Sequence, residues 1–154
     1  MKDEQPPDFP PMTLTAMRAL SVVAATAGND NGNHVHASPQ QERLASALDA
    51  LYTAFWVRHV PVHQPNTLAS ILAEVLGEDE AKSVMEKSNT EGKALLLQNT
   101  DFAFQKGAFG LPWLSCTNSD GEEQGFWGVD HLGQVTQFLG LEKPASSKGW
   151  KAVL

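Results

Sequence analysis

Apolar positions recur at helical spacing over roughly the first hundred residues and then give way to short alternating runs. Residues 1–12 hold Pro6, Pro7, Pro10 and Pro11 and read as an extended lead-in. Thr13 stands where a helix N-cap is wanted. Beyond it, Leu14, Met17, Leu20 and Ala24 mark one helical face, and Gly28 ends the helix. The polar stretch 29–37 is a loop. Ser38, Pro39 and Gln41 then resemble an N-cap, a first-turn proline and a capping-box partner. The helix behind them is the most strongly patterned, with Leu44, Leu48, Leu51 and Phe55 on one stripe. Pro61 and Pro65 bracket a break. Asn66 is placed to cap the next helix, whose inward face is Leu68, Ile71, Leu72, Val75 and Leu76 and whose stop is Gly77. A shorter helix covers 79–88 with Ala81, Val84 and Met85 inward, and one capped by Thr90 runs on to Lys106, with Gly107 as its stop.

The period changes after that. Trp113 to Thr117 reads as a strand, Asn118-Ser119-Asp120-Gly121 as a turn, and Gln124 to Trp127 as a second strand, which together predict a hairpin. Asp130 can cap a last helix with Leu132, Val135 and Leu139 inward and Gly140 as its stop. Residues 141–154 read as a loose tail. A two-stranded hairpin is marginal in water and needs a larger sheet to join.

Composition narrows the function classes. The chain has 154 residues, 42% hydrophobic and 19% charged, which suits a globular domain and excludes disordered or fibrous classes. A formal net charge of -7 and the lack of a basic stripe argue against nucleic acid as a partner. No apolar run approaches the ~18 residues of a membrane span. The acidic, proline-rich N-terminus reads as neither a secretory signal nor a transit peptide. Cys116 is the single cysteine, so a CxxC pair, a disulfide framework and a cysteine zinc site are excluded. A reducing, intracellular compartment is the matching expectation.

Four runs carry a resemblance. Lys106-Gly107-Ala108-Phe109-Gly110-Leu111-Pro112-Trp113 resembles the "GAFGLP" segment of kappa-class glutathione transferases. Phe126-Trp127-Gly128-Val129-Asp130-His131-Leu132 is similar to the segment that opens that family's last helix. Thr13 to Leu20 resembles the entry to its helical insertion, and Phe55-Trp56-Val57-Arg58-His59 the aromatic end of a later insertion helix. The resemblance covers roughly residues 8–141, in the family's order and spacing. Bacterial 2-hydroxychromene-2-carboxylate isomerases share the pattern closely, and Leu111 with the Trp-Val-Arg-His run tilts the reading towards the transferases.

The resemblance implies a mostly α, α+β fold. It would be the second half of a DsbA-like thioredoxin domain preceded by its helical insertion, with the first βαβ half missing. The expected division is a lead-in over 1–12, an insertion over 13–106, a ββα half over 107–141 and a tail over 142–154. The family's catalytic serine belongs to the missing half, so no catalytic residue is carried over. Glutathione is the implied co-substrate, held by Leu111, Pro112, Val129 and Asp130. The resemblance implies a cis Leu111–Pro112 bond that leaves the Leu111 main chain facing a cleft, where glutathione's cysteinyl backbone pairs as an added strand does. The trans alternative is an ordinary proline at a strand start. Asp130 would cap the helix and take the ammonium of the γ-glutamyl end, and capping alone needs no ligand. Val129 stands where the family has Ser or Gln, leaving only its backbone N–H.

The remaining polar residues read more plainly. Cys116 is expected as a buried, inert thiol, since a peroxidatic role needs a basic neighbour and none is evident. His34 and His36 lack a third metal ligand and read as solvated loop. His59 and His63 belong to the turn after the long helix, and Glu78-Asp79-Glu80 is a favourable helix-start charge. Tyr52, Phe55 and Trp56 read as core or as an inter-subunit surface, so a homodimer is one alternative. The function expected is therefore a glutathione-dependent transferase acting on an electrophilic or peroxide small molecule, truncated in its catalytic half. The rival readings are a non-catalytic fragment or interaction module, and a glutathione-dependent isomerase. Family members occur in mitochondria and peroxisomes. Ala152-Val153-Leu154 lacks the basic middle residue of a peroxisomal address, which favours cytoplasm or mitochondrion.

Overall fold

A computed structural model of the chain describes residues 6, 9–26 and 39–141. Gly28, the His34–His36 loop, the Ser38 cap and the 142–154 tail lie outside the described residues. The chain divides into two compact units, Met1–Gln98 and Asn99–Leu154.

The first unit is helical. α1 (Leu14–Ala25), α2 (Pro39–Tyr52), a π-helix (Thr53–Val57), α3 (Pro65–Leu76), α4 (Glu78–Ser88) and the start of α5 (Glu91–Gln105) follow one another. No strand occurs among the described residues of 13–106. Leu68 and Leu72 of α3 are wholly buried, with Val22, Ile71 and Val84 close to that, and they form the centre of one core. Leu51 and Phe55 are buried as their spacing predicts, whereas Leu48 and Val75 are only half-buried at the edge of the stripe.

Three local expectations are corrected. The inward face of α1 is Ala16, Ala19, Val22 and Val23, and Leu14 and Met17 are exposed. The spacing of large residues misled here because α1 packs closely and therefore through small ones. A Cβ on Gly92 of α5 would lie 2.5 Å from the Arg18 carbonyl oxygen, which shows how near the backbones come. Asn66 is not a cap: Gln64 holds the N-cap position with extended backbone, and Pro65 opens α3 as its first residue. Thr13 occupies the N-cap position of α1, but its hydroxyl turns to the Met17 sulfur and makes no cap bond.

The second unit contains the end of α5, β1 (Trp113–Thr117), β2 (Glu123–Trp127), a 3-10 turn (Val129–His131) and α6 (Leu132–Phe138). The strands pair antiparallel in the register Trp113↔Trp127, Leu114↔Phe126, Ser115↔Gly125, Cys116↔Gln124 and Thr117↔Glu123. Asn118 builds the turn between them by accepting the Asp120 and Glu122 N–H groups at its side-chain oxygen. Phe126 is buried and meets Phe138 of α6 with ring centroids 5.7 Å apart, so α6 covers the Leu114–Phe126 face. Cys116 shares that face by alternation and is half-buried, less enclosed than its strand position predicts.

Candidate functional site

Gly107, at φ 86°, ends α5 and releases the chain into an irregular segment that bends at Gly110, Leu111 and Pro112 before β1. The Leu111–Pro112 bond in that segment is cis. The carbonyl of Pro112 accepts the N–H of Gly128 at 3.0 Å, just beyond the Trp113↔Trp127 pair. This bond lays the Leu111-Pro112 segment beside the Gly128-Val129-Asp130 turn, so the four residues singled out in the sequence converge. The N–H and C=O of Leu111 find no hydrogen-bond partner among the described residues, and its side chain is 82% exposed. A free donor and acceptor on exposed backbone can pair with the main chain of another peptide.

Asp130 is not the helix cap expected of it. A 3-10 turn intervenes, His131 holds the N-cap position of α6, and neither this turn nor α6 has a side-chain cap bond. The reason is local. Gly128 leaves the strand at φ 90°, ψ 154°, which starts the turn two residues before α6 could use Asp130. The Asp130 carboxylate folds back against Gly128 and lies 3.3 Å from the His131 ring nitrogen Nδ1, without hydrogen-bond alignment. Two-thirds exposed, it remains available to a cation. Val129 is also exposed.

A feature the hydrophobic pattern missed stands beside these residues. Phe109, Trp113 and Trp127 form an aromatic wall, with Phe109 5.9 Å from Trp113 and 5.2 Å from Trp127 by ring centroid. Two glycines make room for it. A Cβ on Gly110 would lie 2.5 Å from the Trp127 indole nitrogen, and one on Gly125 would collide with the Trp113 ring. Lys106 pairs with Glu123 nearby. No group of three or more His, Cys, Asp and Glu residues could hold a metal among the described residues. Among them, too, no helix is long and apolar enough to cross a membrane.

A hairpin preceded by an X-Pro segment and followed by a helix that covers one face makes a ββα unit. The chain belongs to the DSBA-like thioredoxin domain family, which it matches over residues 9–140. Its curated relatives include the glutathione S-transferase kappa 2 of Caenorhabditis elegans, 33% identical over 90 residues, or 58% of this chain and 40% of the relative. Glutathione S-transferase kappa 1 of the same organism is 25% identical over 105 residues, or 68% of this chain and 46% of the relative. The matches thus span less than half the length of either relative.

Proposed function

We propose that this chain carries the docking side of a glutathione site in a protein of the kappa transferase type. The observation that carries the reading is the Gly128–Pro112 hydrogen bond, which sets the unpartnered main chain of Leu111 beside Val129 and Asp130. Glutathione is a peptide with a zwitterionic end. Its cysteinyl backbone pairs with the N–H and C=O of Leu111 past Pro112, its ammonium meets the Asp130 carboxylate, and the Val129 N–H is left for its carboxylate. The kinship with the two kappa transferases supports the same ligand. In this reading residues 13–106 are the family's helical insertion and 107–141 its ββα half.

The second substrate is an electrophilic or peroxide small molecule that glutathione attacks through its sulfur. Activating that sulfur needs a hydrogen-bond donor beside it. In this reading the described residues dock the peptide, and the donor to its sulfur belongs to the family's first βαβ half.

Calorimetric titration with glutathione tests the proposal. Binding should be measurable for the chain as it stands, and Asp130→Asn should weaken it roughly 10- to 150-fold, the ~1.5–3 kcal/mol of a hydrogen bond to a charged group. The melting temperature of that variant should not change, because Asp130 makes no cap bond. Equal affinity in the variant would remove Asp130 from the site, and no binding by either protein would defeat the reading.

A further inference from the structure

We infer that the first unit holds a binding pocket for a small, uncharged aromatic molecule. Its described lining runs from Phe9 to Val62, shares no residue with the proposed glutathione site and does not rest on that proposal. The pocket has a volume of about 350 Å³ and lies among the lead-in, α1, α2 and the π-helix. Small-molecule pockets run from roughly 300 to 1,000 Å³, so it suits a ligand of two or three rings.

Its depth decides what can fill it. Ala16, Leu51, Phe55 and Val62 are 6–8% exposed and form the floor. Phe9, Met17, Tyr52 and Trp56 are 41–61% exposed and form the walls. A broad protein surface meets the walls first and leaves that floor empty, whereas a slender molecule reaches it. Among the described residues the lining contains no Asp, Glu, Lys, Arg or His, so a charged ligand would lose its hydration with no counter-charge from them. The polar groups are few: the Thr13 hydroxyl, which points to the Met17 sulfur at 3.5 Å, the Tyr52 hydroxyl and the Trp56 indole N–H.

The walls favour a ring. Trp56 meets Phe55 edge-on, with centroids 4.9 Å apart at 77°, and Phe9 at 5.7 Å and 52°. A further ring joins such a cluster in the same edge-to-face manner. Leu48, Leu51, Tyr52, Phe55 and Trp56 share one stripe, and its last turn is a π-helix, a widening concentrated at functional sites.

The test is titration with N-phenylnaphthylamine, a neutral dye that brightens in apolar surroundings. Saturable one-to-one binding is expected, about tenfold tighter than that of its sulfonated, anionic analogue. Met17→Glu puts a charge on an exposed wall that the fold tolerates, and Ala16→Phe fills the floor. Each should weaken dye binding about tenfold or more, with circular dichroism reporting the fold. Saturating glutathione should leave dye affinity unchanged. Unaltered affinity in Met17→Glu, displacement of the dye by glutathione, or non-saturable binding would each overturn the inference. So would sedimentation showing that the chain pairs with itself and releases the dye as it does, since the hollow would then belong to an interface between copies.

Discussion

The N–H of Gly128 donates to the carbonyl of Pro112 at 3.0 Å, and Gly128 holds a φ of 90° to do so. That backbone region is closed to residues with a Cβ, and a Cβ there would also strike the Asp130 carboxylate. Gly128→Ala should therefore destabilise the second unit by about 1–3 kcal/mol. Urea unfolding checks the loss. Hydrogen exchange should show the amide of residue 128 opening first, and an unchanged exchange rate would mean the clamp is not formed as described.

The aromatic wall depends on its glycines. Gly125→Val should push the Trp113 ring off β2 and cost about 1–3 kcal/mol, as overpacking does. Gly110→Ala should cost less, because the Trp127 ring it would displace is 47% exposed and can swing away. Near-ultraviolet circular dichroism should register both changes, and a Gly125→Val spectrum like that of the parent would contradict the packing.

Gly92 sets two effects against each other. Alanine is the better helix former by about 1 kcal/mol. Its Cβ, however, would lie 2.5 Å from the Arg18 carbonyl oxygen and 3.0 Å from Val22 Cγ2. Backbone cannot yield as a side-chain tip does, so the clash should win. Gly92→Ala is expected to lower the midpoint of thermal unfolding, and a rise would show that α1 and α5 separate without cost.

The centre of the helical core offers a direct comparison. Leu72→Ala should cost about 2–5 kcal/mol, because Leu72 is wholly buried and its loss leaves a cavity. Leu97→Ala, at a position 61% exposed, should stay within about 0.5 kcal/mol. Chemical denaturation of the two variants should separate them clearly.

Residues 1–154 expressed alone should conjugate glutathione to an electrophile far more slowly than the same chain preceded by a kappa-type first half. The difference should be about a hundredfold or more, the worth of one well-placed donor to the reacting atom. The extended protein should also melt higher, since its added strands would cover the backbone edge of a hairpin that is marginal alone. Equal rates would mean that an activating group lies among the residues of this chain.

Sequence alone determined the order of elements, because periodicity and breakers are local. The stripe through Leu51 and Phe55, the stops at Gly77 and Gly107 and the Asn118–Gly121 turn each arise from residues within a few positions of one another. It also marked Leu111, Pro112, Val129 and Asp130, through runs that resemble a known family. Tertiary structure decided what their spacing could not. Which face of α1 turns inward depends on how closely its neighbours approach, and close approach favours Ala16 and Ala19 over Leu14 and Met17. Asp130 loses its cap because Gly128, fixed by its bond to Pro112 across the hairpin, starts a tight turn too early. The aromatic wall and the hollow beneath Trp56 join residues up to 53 positions apart, from Phe9 to Val62. No local rule brings such residues together. Only the packing of helix on helix and strand on strand does.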